Sequence, residues 1–289
     1  MAGLKEVRGR IGSVRSTRKI TSAMKMVSAA KFHRAQLGYD QYQLFLREFQ
    51  RMLSLALSQG VKLEHPLMRS TKGDAPTLVL AFTSNSSMCG GYNNAVAQLV
   101  REEIRRHASE KRKCDVWAYG RKGADMLSKE GVRLGHRDEG LVDKPSYEEA
   151  MVLYDGLQRS FEKGEYSQVS LAYNQFHTAA SQEPVLRRLF PIEMPELGVK
   201  GVQDEYIFEP TAEEFFAYAL PNYTRLLLFG ALQDNAIGEH GARMTAMMQA
   251  TDNADALLDD LTLEYNKARQ SAITNELVEI VSGADALNG

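Results

Sequence analysis

Cys89 is the first residue of this chain that invites a chemical reading. It stands before Gly90 and Gly91 in the turn Thr83-Ser84-Asn85-Ser86-Ser87-Met88-Cys89-Gly90-Gly91-Tyr92-Asn93, between an apolar run and a helical pattern. A thiol at a helix N-terminus loses pKa to the local positive potential and becomes nucleophilic, although a cysteine there also serves simply to pack. The turn carries neither G-x-G-x-x-G nor G-x-x-x-x-G-K-[ST], so its glycine pair reads as a tight turn rather than a phosphate cradle. Gly120-Arg121-Lys122-Gly123 reads either as an anion cradle or as a solvated turn. The six histidines, His33, His65, His107, His136, His177 and His240, stand singly, with no H-E-x-x-H and no Cys/His ligand spacing, and give no metal site. The adjacent acids Glu102 and Glu103, Glu213 and Glu214, and Asp259 and Asp260 diverge by about 100° on a helix, which suits solvated faces better than a shared acid and base.

Composition sets the frame for these residues. The chain has 289 residues, 44% hydrophobic and 25% charged, with a formal charge of −2 and a pI near 6.3. It has the average make-up of a globular protein and no global pull toward nucleic acid. No segment has the 18 uninterrupted apolar residues of a membrane span. Two cysteines, Cys89 and Cys114, are too few for a disulfide scaffold, the start MAGLKEVRGRIG lacks the apolar block of a secretory signal, and no mitochondrial transit peptide is apparent. A reducing, cytoplasmic compartment is expected.

The elements that must position everything else lie at the ends. All eight prolines fall between Pro66 and Pro221, leaving roughly the first 60 and the last 65 residues free of the strongest helix breaker. A seven-residue repeat runs through Leu4, Ile11, Phe32, Tyr39, Leu46 and Leu53, with Val7, Val14, Ala35, Tyr42, Phe49 and Ala56 as its second series. It lapses at Arg18, Thr21, Lys25 and Ser28, where Ile20, Ala23, Met24 and Val27 predict a shifted face and a different partner. The last stretch repeats the pattern in Met244, Thr251, Leu258, Tyr265 and Ala272, with Met247, Ala254, Leu261 and Ala268. About 55 helical residues would span roughly 80 Å, far beyond an ordinary globular helix, so a two-helix rod fits better than a bundle core.

Charge favours pairing of the two ends. Residues 1–58 carry eleven Lys and Arg against three acids, and residues 222–289 carry four against ten, for nets of +8 and −6. Each exposed pair is worth under about 1 kcal/mol, so charge selects the partner and the apolar seam supplies the stability. The basic block from Lys5 to Lys31 also has the density to bind nucleic acid or an acidic membrane surface, but its charges ring the helix, and an acidic protein surface is the simpler reading.

Between the ends the pattern becomes strand and helix. Thr77 to Phe82 and Cys114 to Tyr119 are short apolar runs suited to parallel strands covered on both faces. Helices are predicted over Asn94 to His107, Lys122 to Lys129, and from Ser146, with Glu149 at capping-box spacing, to about Lys163. Val169 to Phe176 and Val185 to Phe190 complete a small sheet as an antiparallel pair or as edge strands. The expected fold class is a Rossmann-like α/β domain inserted between two long terminal helices that form an antiparallel coiled coil. Its boundaries are 1–60 for the first helix, 61–210 for the α/β base and 211–289 for the second helix. On these residues three function classes stay open: a rod without an active site, a nucleotide-dependent enzyme using Cys89, and a basic scaffold for nucleic acid.

The run from Tyr265 to Ala284, YNKARQSAITNELVEIVSGA, resembles the gamma subunits of F-type ATP synthases, with their signature I-T-x-E-L-x-E-I-V-x-G-A. Lys19 to Lys31 (KITSAMKMVSAAK), Cys89-Gly90-Gly91-Tyr92-Asn93, Ala242-Arg243-Met244 and Ala250-Thr251-Asp252-Asn253-Ala254 join it in order, so the likeness spans essentially the whole chain. The resemblance implies a non-catalytic central shaft without cofactor or metal. Its coiled coil enters the hexamer of alpha and beta subunits, and its base meets the epsilon subunit and the membrane rotor ring of c subunits. Proton flow through the ring then turns the shaft and drives ATP synthesis in the beta subunits. It also implies a peripheral location on the cytoplasmic face of a bacterial inner membrane, with no nucleic acid among the partners.

By the same resemblance, Arg269, Gln270 and Thr274 would touch a beta-subunit loop, and Lys19, Met24 and Lys25 the moving part of beta. Tyr206, Phe208 and Glu209, in the segment Asp204 to Pro210, would face the ring and the epsilon subunit. Ala268, Ala272, Ile273, Val278, Val281 and Ala284 would give a smooth tip that turns in an apolar collar. The chain departs from the family's T-D-x-G-L-C-G loop at Asn85, Ser86, Ser87 and Met88, and its short end after Gly283 implies no long regulatory tail.

Overall fold

The computed structural model describes residues 2–58, 65–69, 75–193, 208–209 and 211–288. In chain order the elements are α1 (Ala2–Ser58), a 3-10 turn (Pro66–Met68), β1 (Thr77–Phe82), α2 (Tyr92–Ser109), β2 (Cys114–Tyr119), α3 (Arg121–Lys129), β3 (Leu134–Asp138), α4 (Tyr147–Glu162), β4 (Gln168–Thr178), β5 (Ser181–Phe190) and α5 (Ala212–Asn288). They fall into two compact units, Met1–Ser28 with Met244–Gly289, and Ala29–Arg243.

The first unit is a two-helix seam. Leu4, Val7, Ile11 and Val14 are partly or fully buried on α1, as are Met244, Met247, Thr251, Ala254, Leu258, Leu261, Tyr265, Ala268 and Ala272 on α5. The Thr251 hydroxyl donates to the Thr21 hydroxyl at 2.8 Å, and Arg18 pairs with Asp255. A residue earlier on α1 thus meets one later on α5, and the helices run antiparallel. Arg18 and Asp255 are both about half exposed (47% and 46%), so their pair is worth under about 1 kcal/mol.

The expected shift of the stripe at the lapse is corrected here. Thr21 and Ser28 are buried at 9% and 3% exposure, whereas Ile20 and Val27 stand out at 60% and 58%. The seam keeps its heptad register because two hydroxyls fit the interface and satisfy themselves. Thr21 Oγ1 donates to the Arg18 carbonyl at 3.1 Å, and Thr251 Oγ1 lies 2.7 Å from the Met247 carbonyl. The apolar residues displaced from the seam form a separate, uncovered face.

The second unit holds a five-stranded sheet in the order β3-β2-β1-β4-β5. β1 pairs parallel with β2 and β4, β2 pairs parallel with β3, and β5 closes the edge antiparallel to β4. β4 is therefore an inner strand, not an edge. Every residue of β1 is buried, as a central parallel strand requires. One face of the sheet packs Val79, Ala81, Val116 and Ala172 against Val96, Ala97 and Val100 of α2 and Leu127 of α3. The opposite face packs Leu78, Leu80 and Phe82 beneath Tyr154, Leu157 and Phe161 of α4, Tyr42, Leu46 and Leu53 of α1, and Phe216, Leu220, Leu228 and Leu232 of α5.

Local chemistry explains most boundaries. Ser146 caps α4 by accepting the Glu149 amide N–H at 3.2 Å. β3 lies outside the four expected strands. Its sequence LGHRD has no apolar run, because an edge strand needs partners only on one side and leaves Gly135, His136 and Arg137 exposed. α5 begins ahead of Pro221 and contains it. The missing N–H costs about 3 kcal/mol in a helix interior. Burial of Phe216, Ala219, Leu220 and Tyr223 around it outweighs that loss.

Candidate functional site

In a doubly wound sheet, ligands bind at the carboxyl ends of the strands where the strand order reverses. Here that point lies between β1 and β4, bordered by the Thr83–Gly91 turn and the start of α2. The chain fills it with its own α5. Asn235 Nδ2 donates to the Thr83 carbonyl at 3.3 Å, and the Tyr92 hydroxyl donates to the Asn235 carbonyl at 2.9 Å. Asn174 of β4 donates to the Tyr92 carbonyl at 2.9 Å. Arg243 donates to the Ser86 and Ser87 carbonyls at 3.3 and 3.4 Å while pairing with Glu239. Thr83, Asn174 and Asn235 are all at most 1% exposed, so these are bonds made away from water.

The turn's unusual residues have their own work. Asn85 Oδ1 accepts the Arg121 N–H at 2.9 Å, and Asn85 Nδ2 donates to the Glu139 carbonyl at 2.7 Å. Gly120 adopts φ +104° with the Thr83 carbonyl carbon only 2.7 Å from where a Cβ would stand. The Gly120–Gly123 stretch is thus a close packing point against Thr83, neither an anion cradle nor a solvated turn. Cys89 is buried at 2% exposure and accepts from Asn93 Nδ2 at 3.3 Å, a packed thiol away from any histidine among the described residues' hydrogen bonds. Burial pushes the Cys114 thiol up to about 12, with Glu103 and Asp115 adding to it, so it stays a thiol at neutral pH.

Beside the filled crevice, Asp234 is buried at 5% exposure and accepts from the Tyr39 hydroxyl and from the Phe176 amide N–H, both at 3.0 Å. It joins α1, α5 and β4 in one node. Burial pushes its carboxyl up to about 6, against the pull of the Phe176 and Tyr39 hydrogen bonds and the more distant Arg187 and His177 charges. Tyr39 packs edge-on against Phe176 at 5.4 Å between ring centres. Nearby, the Tyr42 hydroxyl donates to the Leu226 carbonyl at 2.6 Å, over Gly230, where any Cβ would overlap the Tyr42 ring. Sequence reasoning missed this node, although Gln233, Asp234 and Asn235 interrupt the apolar stretch Leu226 to Ile237 and carried a legible signal.

The contact residues expected from the resemblance lie elsewhere. Arg269, Gln270 and Thr274 are exposed on α5, with the Thr274 hydroxyl turned back to the Gln270 carbonyl at 2.9 Å. Lys19 is exposed on α1, and Met24 and Lys25 are half-buried. The Thr21–Thr251 register sets Lys19 to Lys25 opposite the stretch near Thr251, about 25–35 Å along the seam from Arg269. The structure does not bring the two sets together. The same register leaves α5 beyond Ala272 without a helical partner from α1, and Ile273, Leu277, Val278, Ile280 and Val281 are 49–68% exposed. Phe208 packs against Phe215 and Phe216, with ring centres 5.5 and 6.2 Å away. Glu209 is exposed beside Arg51 in a groove of about 470 Å³ lined also by Met52, Leu55 and Phe215. Tyr206 lies outside the described residues.

Known proteins fit this geometry. The family model described as ATP synthase matches residues 3–287. ATP synthase gamma chains from Flavobacterium johnsoniae and Phocaeicola vulgatus are 42% and 40% identical, over 100% and 99% of this chain and 100% of each relative. This chain belongs to the ATP synthase gamma-chain family. The gamma chain of Anaeromyxobacter sp. adds a relative 37% identical over 99% of the chain. Two solved chains share the fold. One is from the rotor of the Euglena gracilis mitochondrial ATP synthase (TM-score 0.61, 17% identity, covering 94% of this chain and 99% of that one). The other is from the OSCP/F1/c-ring assembly of the same enzyme (TM-score 0.64, 19% identity, covering 99% and 95%). No described helix is long and apolar enough to cross a membrane.

Proposed function

We propose that this chain is the non-catalytic central shaft of a proton-translocating F-type ATP synthase, carrying twist from a membrane ring of c subunits to the beta catalytic sites. One observation carries the reading: the heptad seam holds its register through the polar positions Thr21 and Thr251, while α5 outruns its partner and exposes Ile273, Leu277, Val278, Ile280 and Val281 near its end. An uninterrupted seam stiffens a helix pair. A tip bearing Ile273, Val278 and Val281, without a lattice of polar partners, can turn inside an apolar collar because no fixed hydrogen bond must break at each step. The full-length likeness to gamma chains supports the same partners, namely the alpha and beta hexamer, the epsilon subunit and the ring, and a peripheral site on the cytoplasmic face of a bacterial membrane.

Chemistry in this reading belongs to beta. Among the described residues the switch-point crevice is filled by Asn235 and Tyr92, and Cys89 is buried, which supports the non-catalytic reading. Arg269, Gln270 and Thr274, with Lys19, Met24 and Lys25, are the side chains proposed to press on beta. Phe208 and Glu209 border the groove proposed to face epsilon and the ring, with Tyr206 in the same segment. The test is rotation of complexes assembled with this chain, with a bead fixed to its α/β unit. ATP-driven turning with none in complexes lacking the chain is the expected result. Nucleotide turnover by the purified chain alone would overturn the reading.

A further inference from the structure

The two units differ in how helix holds helix. In the seam near Thr21, apolar contacts surround a hydroxyl pair and a half-exposed ion pair among the described residues. In the α/β unit, α5 meets the rest of the chain through directional polar bonds at consecutive residues, part-buried at Asp234 and buried at Asn235. Asp234 faces one way, accepting from Tyr39 of α1 and the Phe176 amide of β4. Asn235 faces the crevice, donating to Thr83 and accepting from Tyr92. Successive residues on a helix diverge by about 100°, so the pair grips the helix from two directions. Apolar packing alone tolerates a small roll or slip of a helix, because it has no preferred direction. Directional polar bonds do not, since a roll pulls Asp234 from its two donors and strands the buried Thr83 carbonyl and Tyr92 hydroxyl.

We infer that Asp234 and Asn235 are a rotational key, positioning residues that fix the angle of α5 on the sheet so that twist passes between helix and α/β unit without slip. This rests on the shaft reading above. A buried carboxylate and amide in the middle of an apolar helix face are a poor way to gain stability, and angular specificity is what they supply in return. Gly230 sharpens the fit one turn earlier, since it lets the Tyr42 ring lie directly on the α5 backbone.

The test compares Asp234→Leu and Asn235→Leu, which keep bulk but remove the bonds, with Asp234→Asn, which keeps an acceptor for both Tyr39 and Phe176. Leu228→Ala, at a fully buried core position, is the control for plain destabilisation. Complexes are stalled without nucleotide, and the angular spread of a bead attached to the exposed α4 surface through Val152→Cys is recorded. Losing either residue removes one of the two sets of polar bonds that hold the angle, so the angular variance rises. Asp234→Leu and Asn235→Leu should show that broadening, and Asp234→Asn and Leu228→Ala should not. Parent-like spread in both leucine variants, or equal broadening in Leu228→Ala, would overturn the key. Amide exchange on the full-length chain reads the key even if complexes do not assemble or the shaft reading fails. Residues 231–243 should lose protection in the leucine variants while β1 keeps its own, and parallel loss in β1 counts against the inference. Wild-type complexes that never turn would instead remove the shaft reading.

Discussion

Replacing Asp234 by Asn should make the protein more stable at neutral pH. The folded carboxyl titrates near 6 against an ordinary value of 3.8, because burial disfavours its charge more than two hydrogen bonds and distant cations favour it. With the folded pKa raised, the folded state binds more protons than the unfolded chain between those two values. The stabilisation due to the protonated form is therefore complete below about pH 4 and lost as pH rises through about 6. At 1.36 kcal/mol per unit, the rise from 3.8 to about 6 corresponds to a ceiling of about 3 kcal/mol. Asn stays neutral at every pH and still accepts from Tyr39 and Phe176, but it adds an amide N–H2 that must find partners, a cost of about 1–2 kcal/mol. The variant should match or trail the parent near pH 4 and gain on it up to about pH 6.5, ending about 1–2 kcal/mol ahead. Urea unfolding of the full-length chain from pH 4 to 8 measures this, and Trp117, the single tryptophan, reports on the sheet directly. A pH-independent difference between the two proteins, or a variant that falls further behind as pH rises, would refute the reasoning.

Other outcomes follow from single contacts. Gly230→Ala should destabilise by about 1–3 kcal/mol in the same unfolding assay, because overlap with the Tyr42 ring outweighs the roughly 1 kcal/mol helix advantage of Ala. The double variant Thr21→Val with Thr251→Val removes a buried hydroxyl pair and should change stability by less than about 1 kcal/mol, since both partners go together; thermal melts check it. Leu258→Pro should cost about 3 kcal/mol or more and lower the helical circular dichroism of the seam. Arg269→Ala, at an exposed position, should shift stability by under about 0.5 kcal/mol yet weaken ATP-driven proton pumping in assembled complexes; unchanged pumping would remove Arg269 from the torque contacts.

Local physics made much of this protein legible. Heptad spacing from Leu4 to Val14 and from Met244 to Ala272 placed the seam because burial on a helix repeats with the turn, its continuation from Tyr42 to Ala56 marked the α1 face packed into the α/β core, and proline-free ends allowed the length. β1 and β2 were legible because strands covered on both faces must be apolar throughout. The β3 edge strand was not, since a strand with one neighbour can be as polar as Leu134 to Asp138. The lapse at Thr21 misled for a related reason. A hydroxyl that satisfies itself on its own helix buries as readily as a methyl group, so apolar counting shifted the face when the register had not moved. Pro221 sits inside α5 because packing around Leu220 and Tyr223 overrides local propensity.

Sequence alone thus determined the family, the paired helices and most of the sheet, because these depend on periodicity and on motifs read along the chain. Only the tertiary structure decided which residues meet across it. That Asn235 fills the crevice beside Thr83, that Asp234 holds Tyr39 and Phe176 together, and that Gly230 admits Tyr42 are facts of residues separated by more than fifty positions. Their free energy depends on shared burial and on the direction of each bond, quantities that exist only once distant segments have been brought together.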